Sequence, residues 1–183
     1  MSDPHDGIEV SVVIPAYNEE AFLHKTIEHL QTALMACQVI SEIIVVDNGS
    51  SDRTAAIARE QGAQVVYESK QQIARARNTG GFQAKGRFII FLDADTIVHQ
   101  GLIMSTLQIL RSGNYIGGGA LLELDEYHKA TQRFLQSWNW ISAKMKFAAG
   151  CYIFCLKSAF LQVGGFNEKI YASEEIWFIK RLK

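Results

Sequence analysis

At 183 residues, with 48% hydrophobic and 20% charged side chains and only two prolines, the chain fits one globular domain that can bury a core without disulfides. A formal net charge of -1 gives no polyanion-binding signature, so nucleic acid is not the expected partner and any basic site must be local. Cys37, Cys151 and Cys155, at spacings unlike a zinc site, point to a reduced, cytoplasmic environment; with no signal-peptide pattern and no apolar run of membrane-spanning length, peripheral contact at the inner face of a membrane stays open.

Apolar runs alternating with helical patterns predict an open, mainly parallel α/β sheet flanked by helices. Val10 to Pro15 (VSVVIP) is the first strand, and Asn18 is expected to cap a helix reaching about Ala36 with Phe22, Ile27, Leu30 and Leu34 inward. Glu42 to Asp47 (EIIVVD) is the second strand. Asn48 to Ser51 makes a tight turn, Asp52 caps a helix to about Gln61, and Ala63 to Tyr67 is a short third strand. A helix from about Gln71 to Ala84 leads through Lys85 and Gly86 into a fourth strand, followed by a helix from Gln100 to about Arg111 and a strand around Tyr115 to Leu122.

Past Leu124 the spacing predicts a long helix from about Glu126 to Phe147. Phe134, Trp138, Ile141 and Met145 share one face of it, which reads as core packing; Trp140 with Lys144 and Lys146 suits an interfacial helix instead. A strand from Cys151 to Leu156, a short helix to Val163 and a final helix over SEEIWFIKRLK complete the order, and no repeat or linker divides the chain.

The fourth strand stops on two carboxylates, FIIFLDAD from Phe88 to Asp95. In extended backbone, residues i and i+2 project to one side about 6.6 Å apart, so Asp93 and Asp95 can converge on a divalent cation such as Mg²⁺ or Mn²⁺, which relieves their repulsion. The alternative is an Asp-rich turn in which Asp95 caps the helix near Gln100.

In parallel α/β sheets ligands bind outside the carboxyl ends of the strands. That rule gathers Pro15, Ala16, Tyr17, Asn18 and Glu19 with Asp47, Asn48, Gly49 and Ser50, and with Asp93, Ala94 and Asp95. Tyr17 can cover a base or ribose, and Glu19, Asp47 and the Asn48 amide can bond base edge and ribose hydroxyls. Turn and capping roles account for each segment taken singly.

Taken together, in this order, the segments closely resemble family 2 glycosyltransferases of the A-type (GT-A) fold. The pieces are VVIPAYNEE (Val12 to Glu20), IIVVDNGSSDRT (Ile43 to Thr54), ARNTG (Ala76 to Gly80), GRFIIFLDAD (Gly86 to Asp95), GGF (Gly164 to Phe166) and SEE (Ser173 to Glu175). The resemblance implies a single domain that uses a nucleotide-diphosphate sugar, UDP- or GDP-linked, as donor and a saccharide, a lipid-linked compound or another hydroxyl as acceptor. By the same resemblance Pro15, Ala16, Tyr17, Glu19, Asp47 and Asn48 hold the nucleoside, Arg77 and Asn78 lie beside the donor, and Asp93, Ala94 and Asp95 hold a Mn²⁺- or Mg²⁺-diphosphate. Arg75 and Lys70 are weaker candidates for the diphosphate, and Glu174 and Glu175 match the acidic pair whose second member, Glu175, is the expected base for inversion.

Three departures stand out. Many family members carry Asp-Asp where this chain has Asp47 and Asn48, and Glu-Asp where it has Glu174 and Glu175. The chain also stops eight residues past Glu175, where relatives generally continue, which suggests a short member or a truncated one. Helix-start chemistry is the structural alternative for Ser173 to Glu175, packing for Gly117 to Gly119, and surface or core roles for His99 and His128. A sugar nucleotidyltransferase, which would be expected to show a Gly-rich basic loop where this chain has PAYNEE, and a catalytically silent nucleotide-sugar-binding domain are the rival readings.

Overall fold

The computed structural model describes residues 7–120, 150–171 and 173–182. The helix expected from about Glu126 to Phe147, with its apolar face and His128, lies outside the described residues.

The first strand, β1 (Val10–Ala16), is buried at every position and sits at the centre of the sheet, which is why it reads as a near-continuous apolar run. Successive residues face opposite cores: Val10, Val12 and Ile14 one way, Val13 the other. Its one buried polar side chain is satisfied, since the Ser11 hydroxyl donates to Glu42 at 2.6 Å and accepts from the Gly86 N–H at 2.8 Å. On one side of β1, β2 (Ser41–Asp47) pairs parallel to it and β3 (Gln64–Tyr67) to β2; on the other, β4 (Phe88–Leu92) is also parallel to β1. β6 (Tyr152–Leu156) runs antiparallel to β4, and β5 (Gly117–Gly119) antiparallel to β6. Among the described residues the order is β3-β2-β1-β4-β6-β5, so the strand order reverses, and a crevice opens, between the parallel strands β1 and β4.

Helices α1 (Leu23–Ala36), α2 (Thr54–Glu60) and α4 (Gln100–Arg111) cover one face through Leu23, Ile27, Leu30, Ala58, Ile103, Leu107 and Leu110. The opposite face carries α3 (Ile73–Gln83), α5 (Lys157–Val163) and α6 (Glu174–Arg181), with Ala74, Ala76, Phe160, Phe178 and Ile179 inward. The approach of α3 to the sheet depends on Gly80: a Cβ there would lie 2.3 Å from Val13 Cγ1 and 2.9 Å from Val46 Cγ2.

Several expectations fail in detail. Asn18 does not cap α1, which starts at Leu23; with φ +55 it lies in a loop, and its Oδ1 accepts from the Ser51 N–H at 2.8 Å. Phe22 is exposed, and Leu23 takes the inward position. Asp52 bonds the Thr54 N–H at 2.9 Å from just outside α2, whose flanking residue is Arg53. β4 ends at Leu92, so Asp93 and Asp95 sit in a turn closed by Thr96 N–H to Asp93 C=O (3.1 Å), not at alternate positions of a strand. His99, not Asp95, caps α4, its Nδ1 accepting from the Leu102 N–H at 3.3 Å.

Candidate functional site

A cleft of about 380 Å³ opens at the carboxyl ends of β1, β2 and β4. Pro15, Ala16, Tyr17 and Glu19 form one wall, Asp93, Ala94 and Asp95 another, and Asn48 with Gln71, Gln72 and Ile73 a third. A second cleft of about 400 Å³ on the α1–α4 flank contains none of the strand-end residues. The strand-end rule therefore finds the right edge of the sheet, and the switch point explains the gap.

Tyr17 stands exposed at the mouth, free to lie against a planar ligand. Glu19 is half-buried; burial raises its pKa first, and the charges of Asp95, Asp52 and Asp93 add to the effect. Asp93 is likewise raised, chiefly by burial, with Arg77 opposing and Asp95 and Glu175 reinforcing. This end of the cleft thus concentrates negative charge, and Asp95 itself is exposed, with a 3.4 Å contact from the Thr96 hydroxyl.

Four expected ligand contacts are engaged elsewhere. The Asn48 amide donates to the carbonyls of Glu68 (3.0 Å) and Lys70 (2.7 Å) and accepts from the Gln72 N–H (2.9 Å). It lines the cleft, and its side-chain hydrogen bonds shape the 68–72 loop. Asp47 does not line the cleft; its Oδ1 accepts from the Ser50 N–H at 2.9 Å and shapes the turn. Asn78 clamps Phe166, accepting from its N–H at 2.7 Å and donating to its C=O at 3.0 Å, with Glu168 also 3.0 Å away. Arg77 is 2% exposed and pairs with Glu174 at 2.7 Å and Asp93 at 3.0 Å.

The clamp on Phe166 explains the GGF motif. Gly164 and Gly165 adopt φ +76 and +77, and a Cβ on Gly165 would lie 2.4 Å from Asn78 Oδ1. Phe166 then stacks on Phe178 with centroids 4.2 Å apart and meets Phe91 edge-on at 4.9 Å, which docks α6 against β4. Packing likewise accounts for Gly117 and Gly118, whose Cβ atoms would meet the Phe154 carbonyl at 2.8 Å and its ring at 2.9 Å.

Glu174 is buried and ion-paired, and burial raises its pKa, so the first member of the acidic pair is an internal partner and not a group facing the cleft. Glu175 is half-buried and lies against Gly150, whose Cβ position is 3.6 Å from the Glu175 carboxyl carbon. Ser173, with φ +63, makes no side-chain cap, so the helix-start explanation of SEE lacks its hydroxyl bond. Arg75 pairs with Glu68 at 3.4 Å and Glu168 at 2.8 Å; Lys70 is exposed, and its N–H donates to Glu68. Cys37, Cys151 and Cys155 are all free thiols.

Sequence reasoning missed Gln71, Gln72 and Ile73 as cleft residues. They reach it because Asn48 folds the preceding loop back over β2, a contact that no local pattern announces. The Gln72 side chain is anchored by Nε2 to the carbonyls of Glu168 (2.7 Å) and Ile170 (3.3 Å).

The family model described as glycosyl transferase family 2 matches residues 11–164, a span that includes every residue lining the cleft. The chain belongs to glycosyl transferase family 2. Among curated relatives of this family 2 chain, a Campylobacter jejuni protein named GalNAc(5)-diNAcBac-PP-undecaprenol beta-1,3-glucosyltransferase is 26% identical over 188 residues, covering 96% of this chain and 60% of the relative. Glycosyltransferase AglE of Haloferax volcanii is 39% identical over 97 residues, 50% of this chain and 32% of the relative. The chain spans 12% to 60% of the length of such relatives.

The GT-A fold is shared with solved structures. A mannosyltransferase from Pyrobaculum calidifontis, in complex with GDP-Man and Mn²⁺, superposes with a TM-score of 0.76 at 19% identity over 94% of this chain and 51% of that one. TarS of S. aureus in complex with UDP-GlcNAc gives 0.68 at 17% identity over 96% and 53%.

Proposed function

We propose that this family 2 chain transfers a sugar, with inversion, from a nucleotide-diphosphate donor to an acceptor hydroxyl that Glu175 deprotonates. The placement of Glu175 carries the reading. It stands in the first turn of α6 with its carboxyl against Gly150, whose carbonyl shares the Arg77 Nη2 donor with Asp93, so it lies beside the cleft residue Asp93 without itself lining the cleft.

Family membership and the bound donors of the GT-A neighbours support a nucleotide sugar. In the step, the acceptor oxygen gives its proton to Glu175 and bonds the anomeric carbon, while the bond to the diphosphate oxygen breaks and its electron pair stays on the nucleotide. Tyr17, Pro15, Ala16 and Glu19 would border the nucleoside; Asp47 and Asn48 would act behind them by holding the loops.

The residues fit a divalent cation. Asp93 and Asp95 supply hard carboxylate oxygens at one edge of the cleft, and Mg²⁺ and Mn²⁺ are commonly bound by one or two carboxylates together with phosphate oxygens. When bound, the ion would offset the charge that grows on the leaving diphosphate. Among the described residues no cluster of three or more ligand side chains forms a cage, in keeping with a site completed by substrate.

The nucleotide is uridine or guanosine diphosphate, the two types bound by the neighbours, and the acceptor class is a saccharide or lipid-linked saccharide, as the Campylobacter relative's name suggests. No helix among the described residues is long and apolar enough to cross a membrane. The test is nucleotide release from a panel of UDP- and GDP-sugars with Mn²⁺ or Mg²⁺. Turnover with at least one donor, lost in Asp95→Ala and on chelation, is expected. Unchanged turnover in Asp95→Ala sinks the metal assignment, and nucleotide binding without turnover sinks the transfer reading.

A further inference from the structure

We infer that Arg77 is a positioning residue, which holds Glu175 in place by tying together the three backbone segments around it, and is not a ligand of the donor diphosphate. The inference rests on the reading of Glu175 as the base.

Arg77 projects from α3 into the protein and is 2% exposed. Nη1 donates to Glu174 Oε1 at 2.7 Å, at the first residue of α6. Nη2 donates to Asp93 Oδ1 at 3.0 Å, just past β4, and to the Gly150 carbonyl at 3.0 Å, just before β6. Its guanidinium also lies 5.5 Å from the centre of the Phe166 ring, the ring that docks α6. One side chain therefore fixes the start of the helix that carries Glu175, the glycine against which the Glu175 carboxyl rests, and one member of the aspartate pair.

Only a planar fork does this. The guanidinium sends divergent N–H donors to three acceptors at once, whereas an ammonium is a single point charge on a flexible stem. The same geometry removes Arg77 from the donor. Both Nη atoms are engaged, Nε is buried, and the residue does not line the cleft. The buried group also opposes two carboxylates with one cation, so charge on a bound diphosphate must be offset by something other than Arg77.

The test compares Arg77→Lys and Arg77→Met with the unaltered chain, with Asp95→Ala as the ligand-contact control. Calorimetry with UDP and GDP in Mn²⁺ reads binding, turnover of the active nucleotide sugar reads kcat and KM, and hydrogen exchange reads residues 174–178. We expect Kd and KM to stay within about threefold while kcat falls at least about a hundredfold in Arg77→Met and is partly recovered in Arg77→Lys. Exchange at the start of α6 should rise at least about tenfold with β1 unchanged. A Kd weakened more than about tenfold at constant kcat overturns the inference, because Arg77 would then touch the donor. Unaltered exchange at residues 174–178 overturns it as well, and this arm does not need turnover. If the unaltered chain binds no nucleotide and turns nothing over, the transfer reading fails by itself, and the exchange data alone decide whether Arg77 holds α6.

Discussion

At the scale of single residues, neighbouring side chains of like chemistry have different duties. Glu174 and Glu175 are adjacent acids, yet one is buried against Arg77 and the other is half-buried against Gly150. Glu175→Gln keeps size and removes the proton acceptor, so kcat should fall about 10²- to 10⁴-fold with nucleotide affinity unchanged by calorimetry. Asn48 shows the reverse, a polar residue beside the cleft whose groups are all used internally. Asn48→Asp would turn an amide that donates to two carbonyls into a carboxylate facing them. The expected loss is about 2 kcal/mol, read as a lower urea midpoint at constant slope. An Asp-Asp pair at positions 47 and 48 is therefore disfavoured by the 68–72 loop of this chain.

At the scale of elements, α3 lies on the sheet only because Gly80 lets backbone approach Val13 and Val46. Gly80→Ala should destabilise by about 1–3 kcal/mol through overpacking, despite the better helix propensity of alanine, and urea unfolding measures it. Such contacts mark where the sequence is legible and where it is not. The strands could be read because a buried parallel sheet makes each a dense apolar run, as in Val10–Ala16 and Phe88–Leu92. The cleft edge followed, since parallel topology places every strand end together. The helix starts at Gln100 and Glu174 could be read, but some caps could not: Asn18 is claimed by the Ser51 N–H across the loops and Asp95 sits in a turn, whereas Asp52 does accept from the first residue of α2. The internal partners of Arg77 and Asn78 could not be read for a related reason: Glu174 lies 97 residues and Phe166 88 residues away in sequence, partners that local pattern cannot supply.

At the scale of the whole molecule, long-range ion pairs join segments that the sheet leaves apart, and they set the response to acid. Glu68 accepts from the Lys70 N–H, the Thr79 hydroxyl and Arg75, while Arg75 also reaches Glu168, so the loop after β3 is tied to the segment before α6. The Lys70 bond is the main influence that holds Glu68 below the ordinary glutamate range against its burial. Glu9, beside β1, is lowered first by its hydrogen bonds to Arg111 at the end of α4, at 2.7 Å each. A lowered carboxylate binds its proton more readily when unfolded, so its stabilisation is complete above the unfolded pKa of about 4.3 and disappears as pH falls through the lower folded value. Glu68→Gln should therefore be less stable than the unaltered protein at pH 7, by about 1–3 kcal/mol given its hydrogen bonds to a buried carboxylate. Glu9→Gln should lose less, about 0.5 kcal/mol, because its partner Arg111 is half-exposed and screened. Urea midpoints taken from about pH 7 down to about pH 3 should show both gaps narrowing only below the unfolded pKa. A gap that stays constant across that window would mean that the charge of the carboxylate adds nothing to its bonds with the neighbouring loop or helix.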